Sequence, residues 1–395
     1  MKKVLFISWD GPQTNYMEGL FFPIFKEIQK QKNFSFHVLQ FTWADEERVT
    51  SVKAAAKIAG IKYTASKVYR KPFIGVGSLI TIFLGINVVR RYVNLHNINI
   101  VMPRSTFPAT MVNRINIKRA SILFDADGMP LEERIEFTKL KASSLQYKLF
   151  KREEVLALKK ADGVIVRSTD AIKIHLLNLQ TVSLEKFTVV SNGRNIDFFS
   201  FNQLDRNKIR NKLSYKDTDK VFVYCGSLDG EKYDIESINK LFSLYVERNA
   251  DGRLLLITRS NVEITNFSPR LRKFITIVSI PFKEVPKYLS AGDIALGLIK
   301  PTKSMRSVSA IKLGEYLLMG LPVIFSKGIG DSENILRDTP HTFIYDYFDK
   351  DVNSNAIDFV ENMNTVLRKE IRNKGIQYFS IEKSVESYIC ALNKL

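Results

Sequence analysis

Residues 307–331 read S-V-S-A-I-K-L-G-E-Y-L-L-M-G-L-P-V-I-F-S-K-G-I-G-D, and the fold turns on how this stretch is parsed. Its apolar residues keep helical spacing up to Leu318, Gly320 offers a helix stop, and P-V-I-F then reads as a strand. A helix that turns directly into an apolar strand belongs to an α/β layer. Lys312 and Glu315 lie three residues apart on that helix, so an ammonium and a carboxylate share one face. The preceding loop, K-P-T-K-S-M-R at 300–306, is basic and rich in hydroxyls, as suits the phosphate-binding start of a helix. A carboxylate can accept bonds from two neighbouring sugar hydroxyls, so the parts together suit a nucleotide sugar. The plain alternative is an exposed ion pair on an ordinary α/β helix.

The alternation continues on both sides. Short apolar runs at 4–9, 36–41, 98–102, 121–124 and 163–166 read as strands separated by longer amphipathic stretches, one of them a helix expected over 131–160. The pattern pauses at V-V-S-N-G, residues 189–193, where Asn-Gly signals a turn. It restarts with strands expected at 221–224, 253–258, 274–277, 294–298 and 322–325. The expected fold class is therefore α/β: two Rossmann-like, doubly wound domains, 1–190 and 191–375, followed by a terminal segment, 376–395, whose last helix covers 381–392. Ligands in such sheets bind outside the carboxyl ends of the strands, so a cleft between the two domains is the expected site.

A chain of 395 residues is too long for one ordinary core, and 45% hydrophobic with 25% charged residues excludes a disordered or fibrous protein. Cys225 and Cys390 make neither a disulfide framework nor a zinc site, which points to a reducing cytoplasm. The start, M-K-K-V-L-F-I-S-W-D, reads as a first strand rather than a signal peptide. Net charge is +18, and it is unevenly spread. Residues 51–124 contain twelve Lys or Arg and no Asp or Glu, which implies an anionic partner or surface. Zinc-finger spacing, an RNP-like aromatic motif and a basic heptad helix are all missing, so nucleic acid is not the expected partner. Anionic lipid headgroups or a lipid-diphosphate substrate fit better. Within this block, residues 72–89 carry no charge and are long enough to span a membrane. Gly75, Gly77, Ser78, Thr81, Gly85 and Asn87 dilute their hydrophobicity, and basic residues flank both ends. The expectation is a core helix, with contact at a membrane surface as the alternative.

The run K-L-G-E-Y-L-x-x-G-L-P-V-I, with G-I-G-D after it, resembles the donor-site segment of glycosyltransferase family 4, whose members have the GT-B fold. V-V-S-N-G-R-N-I-D-F-F is similar to the P-N-G-V-D-x-x-x-F segment that enters that family's second domain. M-P-R-S-T-F-P-A at 102–109 resembles the R-S-x-x-P-A segment of a polysaccharide-building branch. The resemblance covers most of the chain. It implies a retaining, metal-independent transferase that moves a sugar from a nucleotide-sugar donor to a glycan or polyprenyl-diphosphate-linked acceptor, with no cofactor. The expected location is the cytoplasm, peripheral to the inner membrane face.

Such a transfer breaks the bond between the anomeric carbon and a diphosphate, so it needs fixed cations near the leaving group and a well-held acceptor hydroxyl. Glu315 corresponds to the family carboxylate on the ribose hydroxyls, and Lys312 would face the diphosphate or donor sugar. Gly226, Ser227, Phe282, Arg306, Ser307, Ser309 and Leu313 complete the expected donor set. Lys232 and Arg259 are candidate cations. Asp10, Gly11, Asn15, Arg104 and Asp127 are the expected acceptor set, with Arg104 anchoring an acceptor diphosphate. Three positions depart from the family pattern: Ser307 replaces a glutamate, Ser227 an arginine and Asp127 an arginine. These departures admit a rival reading as an inactive GT-B partner subunit or membrane-docking protein. A sugar-nucleotide epimerase, which shares the fold, is the enzymatic rival.

Asp125-Ala126-Asp127 also imitates the metal-binding D-x-D of the other large glycosyltransferase fold. The donor motif lies near residue 312 instead, so no metal is expected. His37, His96, His175 and His341 show no ligand spacing.

Overall fold

Strand β1 (Lys2–Asp10) shows why the first half folds as a buried parallel sheet. Val4 and Phe6 point into a core with Phe21, Phe25 and Phe36, whereas Leu5 and Ile7 point into a second core with Leu39 and Val101. Consecutive apolar residues, here Val4 to Ile7, mean that both faces of the strand are covered, the condition under which parallel sheets are stable. The remaining strands of this sheet are β2 (Phe34–Thr42), β3 (Lys62–Lys67), β4 (Ile100–Pro103), β5 (Ser121–Asp125), β6 (Gly163–Val166) and β7 (Phe187–Val189). Their order is β3-β2-β1-β4-β5-β6-β7, parallel throughout.

The second sheet holds β8 (Lys220–Cys225), β9 (Gly252–Ile257), β10 (Ile275–Val278), β11 (Ile294–Gly297), β12 (Val323–Ser326) and β13 (Thr342–Tyr345). Their order is β10-β9-β8-β11-β12-β13, again all parallel. This is a computed structural model describing residues 1–117, 119–179 and 181–395. It divides into two compact units: Met1–Gly193 with Ile381–Leu395, and Arg194–Ser380.

Both sheets reverse their winding direction once, between β1 and β4 in the first and between β8 and β11 in the second. The crevice at the carboxyl ends of such a strand pair is the ligand position of doubly wound folds. Asp10 and Arg104 lie at that position in the first unit, and Gly226 lies there in the second.

Two expectations need correction. The helix expected over 131–160 is two helices, Pro130–Phe137 and Leu145–Lys160. Thr138 is extended, and Ser144 caps the second helix by accepting the Tyr147 N–H at 3.2 Å. A serine that bonds the backbone in this way starts a helix rather than continuing one. The uncharged run at 72–89 enters, from residue 74 on, a helix, Ile74–His96, that is core on one face only. Gly77, Ser78, Thr81, Ile82, Gly85 and Val89 are buried, whereas Phe83 is 71% exposed. The small residues admit close approach: a Cβ at Gly85 would lie 2.6 Å from the Met111 sulfur, and one at Gly77 would strike the Tyr69 carbonyl.

Candidate functional site

In the second unit, the Ile311–Leu318 helix carries Lys312 and Glu315. Ala310 caps its start without a side-chain hydrogen bond, so no side chain occupies the positive end of the helix dipole from that position. Lys312 Nζ donates to Tyr224 Oη at 2.6 Å and lies over two aromatic rings, 4.1 Å from the Tyr224 centroid and 4.4 Å from that of Tyr233. Tyr224 Oη in turn donates to the Ser227 carbonyl at 2.6 Å. Tyr233 reaches this position because the chain at 232–234 is bonded to 298–300: Lys300 N–H donates to the Lys232 carbonyl, and Tyr233 bridges Ile299. Gly226 has φ +135°, and a Cβ there would sit 3.3 Å from Lys312 Nζ. Glycine at this position therefore gives the chain its bend and leaves room for the ammonium.

Burial pushes the Lys312 ammonium down to about 7, helped by the nearby Lys232 and opposed by Cys225 and Glu315. The two ring faces favour the charged form and work against that shift. Burial raises Glu315, while Arg194 and Lys312 pull it back towards ionisation. Arg194 Nε donates to Glu315 Oε1 at 2.9 Å, and both side chains are buried. Arg194 itself is fixed by its backbone N–H, which donates to the Phe379 carbonyl at 2.7 Å.

The loop after β8 is tied to the loop after β9. Ser260 Oγ accepts the Leu228 N–H at 2.7 Å and lies 3.3 Å from Ser227 Oγ. Ser227 is thereby held at Ser260, whose neighbour in sequence, Arg259, is exposed. Asp229 lies in the same loop, accepting from Ser227 Oγ at 3.2 Å. Lys232 is half-buried, with its ammonium 5.4 Å from the Tyr233 ring centre.

Other expected donor residues have mainly local duties. Ser307 is fully buried and donates its hydroxyl to the Ser304 carbonyl at 2.6 Å, closing the turn before the helix. Leu313 is core. Phe282 stacks on Phe198, with centroids 5.2 Å apart, and meets Phe199 edge-on. Arg306 is exposed and Ser309 half-buried, both on the approach to the helix.

In the first unit, Arg104 is 8% exposed and bonded to two carboxylates, Asp127 at 2.5 Å and Asp125 at 3.3 Å. Its guanidinium lies 4.7 Å from the Phe21 ring centre and 5.8 Å from that of Tyr16. Arg167 completes the cluster, binding both oxygens of the fully buried Asp125 at 2.8 and 2.6 Å, with Tyr388 Oη 3.4 Å from its Nη1. A guanidinium so engaged orients Asp127. Asp127 has φ +50°, and its side chain is a third exposed. Its carboxyl is raised by burial against the pull of Arg104. The D-x-D carboxylates are thus both ion-paired to arginines. Asp10 accepts from Gln40 Nε2 at 3.4 Å, and Gln40 is held by Tyr63 Oη at 2.6 Å. A Cβ at Gly11 would lie 2.6 Å from the Trp43 ring, so that turn runs directly over the indole. Asn15 is exposed and lies 3.5 Å from Arg48 Nη2.

Sequence reasoning missed Arg194, Tyr224, Tyr233 and Arg167. Arg194 lies inside the quoted V-V-S-N-G-R, and Tyr224 and Tyr233 flank the expected donor residues Gly226 and Lys232. Nothing in their spacing pairs them with residues 312 and 315.

No family model and no curated protein matches this chain. Solved structures do. Anabaena HepE in complex with UDP and glucose matches with a TM-score of 0.72 at 14% identity, over 100% of both chains. A glycosyltransferase from Rickettsia africae gives 0.71 at 15% identity, over 100% of this chain and 98% of the other. WaaG, a glycosyltransferase involved in lipopolysaccharide biosynthesis, gives 0.67 at 15% identity, over 97% and 98%. What this chain shares with them is architecture: it has the two-domain, Rossmann-like GT-B fold.

Proposed function

We propose that this chain is a glycosyltransferase that takes a sugar from a nucleotide-sugar donor and transfers it, with retention at the anomeric carbon and without a metal ion, to a glycan or polyprenyl-diphosphate-linked acceptor. The observation that carries the donor half is the placement of Lys312 and Glu315 on one helix at the winding reversal of the second sheet. In this reading Glu315, held by the Arg194 hydrogen bond, accepts the ribose hydroxyls. Lys312 and the start of its helix take up negative charge from the leaving diphosphate, and Arg259 and Lys232 supply further cations. HepE structures hold UDP and UDP-glucose, so uridine diphosphate sugars are the first donors to try.

The acceptor half rests on Asp10 at the reversal of the first sheet and on Asp127, which follows β5 and pairs with Arg104. Oriented carboxylates there suit acceptor hydroxyls, which donate hydrogen bonds. Family 4 membership and a role in polysaccharide assembly follow from the motif resemblance.

The test is to incubate the purified protein with a panel of nucleotide sugars and follow nucleoside diphosphate release with and without lipid-linked acceptors. Binding of at least one nucleotide sugar, lost in Glu315→Ala and Lys312→Gln, is the expected result. If no nucleotide sugar binds and neither variant changes anything, the proposal fails. Conversion of the donor alone, without acceptor, would instead identify an epimerase.

A further inference from the structure

The Ile74–His96 helix inverts the usual arrangement of a surface helix. Over its first three turns the buried face is made of Gly77, Ser78, Thr81 and Gly85, with Ile82, while large apolar side chains point outwards; only further on do Val89, Tyr92 and Val93 fill it. Phe73 at its N-cap and Ile74, Leu79, Ile80, Phe83 and Leu84 along its first three turns are all exposed. Exposed apolar side chains gathered on one helix face mark a surface that meets something apolar.

The charges around this face say what that is. Arg70 and Lys71 precede the helix, and Arg90 and Arg91 follow the apolar turns on its outer side; all four are exposed. Residues 51–124 contain no carboxylate to neutralise them. Beside the last turns lies an open pocket of about 420 Å³, lined half by apolar residues and half by Arg90, Asn94, Asn97, Asn116 and Arg119. It offers two guanidinium groups and several amides, the donor chemistry that holds a phosphodiester.

We propose that this face docks on an anionic phospholipid bilayer, the helix lying in the interface with its aromatic and aliphatic side chains among the acyl chains and the pocket holding a headgroup phosphate. The helix is long and apolar enough to cross a membrane, but its inner face is packed into the first unit. Thr81 Oγ1 accepts the Tyr69 N–H and donates to the Gly77 carbonyl, both at 2.8 Å, which fastens it there. A second copy of the chain is disfavoured as the occupant, because two-fold pairing of this helix would set its basic ends against each other. This inference stands on the first unit alone and does not depend on the donor chemistry of the second.

The test is sedimentation of the full chain with phosphatidylcholine vesicles, with and without phosphatidylglycerol. The expected result is binding to the phosphatidylglycerol vesicles, reversed by high salt, and roughly tenfold weaker in Arg90→Ala/Arg119→Ala. Phe83→Ser/Leu84→Ser should weaken it by a similar factor, since both side chains are exposed and their loss spares the core. Far-UV circular dichroism and the thermal shift on adding UDP check that the variants are folded and read the donor site separately. Four results would overturn the proposal: no binding to either vesicle, equal binding to both, attachment that only detergent reverses, or a dimer that Phe83→Ser/Leu84→Ser dissociates. Absent vesicle binding with an intact UDP shift would remove this inference and leave the donor reading untouched.

Discussion

Arg194 and Glu315 are 121 residues apart in sequence and joined by a buried hydrogen-bonded ion pair, Nε to Oε1 at 2.9 Å. The first residue of the second unit therefore opposes the upward push that burial gives the carboxylate proposed to hold the ribose. Without it, burial alone would favour a neutral Glu315, a poorer acceptor for two hydroxyls.

This pairing complicates the obvious mutation. Glu315→Ala leaves an uncompensated guanidinium and should cost about 3–5 kcal/mol of stability. Replacing both partners by apolar residues, Arg194→Met with Glu315→Leu, should recover most of that loss while still abolishing donor binding. Urea unfolding of the wild type, the single and the double variant tests the coupling. Equal stabilities for single and double would show that the pair carries none of it.

Lys312 predicts a pH dependence. Its folded value of about 7 lies below the ordinary lysine value of 10.5, so between the two the unfolded chain holds a proton that the folded chain has released. The ligand-free protein should gain stability from this group as pH rises through that window. A bound diphosphate reverses the preference and draws a proton onto the amine. UDP binding at a pH of about 8 should therefore take up protons, and affinity should fall as pH rises further. Calorimetry in buffers of different ionisation enthalpy measures the uptake. It should disappear in Lys312→Gln.

Ser307 tests whether the missing family glutamate can be restored. The hydroxyl is fully buried and bonded to the Ser304 carbonyl. Ser307→Glu places a charge where the chain turns on itself, and should destabilise by several kcal/mol (about 2–7 kcal/mol on the scale for an uncompensated buried polar group). Ser307→Ala should cost only about 1 kcal/mol and leave UDP binding intact. Thermal melts with and without UDP separate the two cases. Tighter donor binding by Ser307→Glu would mean that the pocket accepts the carboxylate after all.

Central strands were legible because they are apolar on both faces; 163–166 matches β6, Gly163–Val166, residue for residue. The three missed strands, β3, β7 and β13, are all at sheet edges. β3 reads K-Y-T-A-S-K with no buried residue, so no apolar run announces it. The same logic misled at 72–89. Gly77, Ser78, Thr81 and Gly85 argued there for a diluted helix, yet all four are buried, because backbone contact selects for small side chains rather than apolar ones. Lys312 and Glu315 were legible because one helical turn links them. Tyr233 and Arg194 were not, because only the folded chain brings 233 and 194 beside 312 and 315.

Arg259 provides the last test, because its two possible duties separate cleanly. It is exposed at the end of β9, so if it is only a surface charge, Arg259→Ala should alter neither stability nor UDP affinity. If it replaces the arginine that Ser227 lacks, stability should still change by less than about 0.5 kcal/mol, because the side chain is exposed. Affinity should nevertheless fall about tenfold or more, the worth of one charge-assisted hydrogen bond to a phosphate. Asp229 adds a sign check. Its carboxylate shares the loop with Ser227 and would repel a diphosphate, so Asp229→Asn should tighten UDP binding under the same conditions. Titration of UDP into both variants, at low and high salt, reads both effects. An unchanged Arg259→Ala would transfer the diphosphate charge to Lys232 and Lys312, and Lys232→Ala would then be the variant that loses affinity.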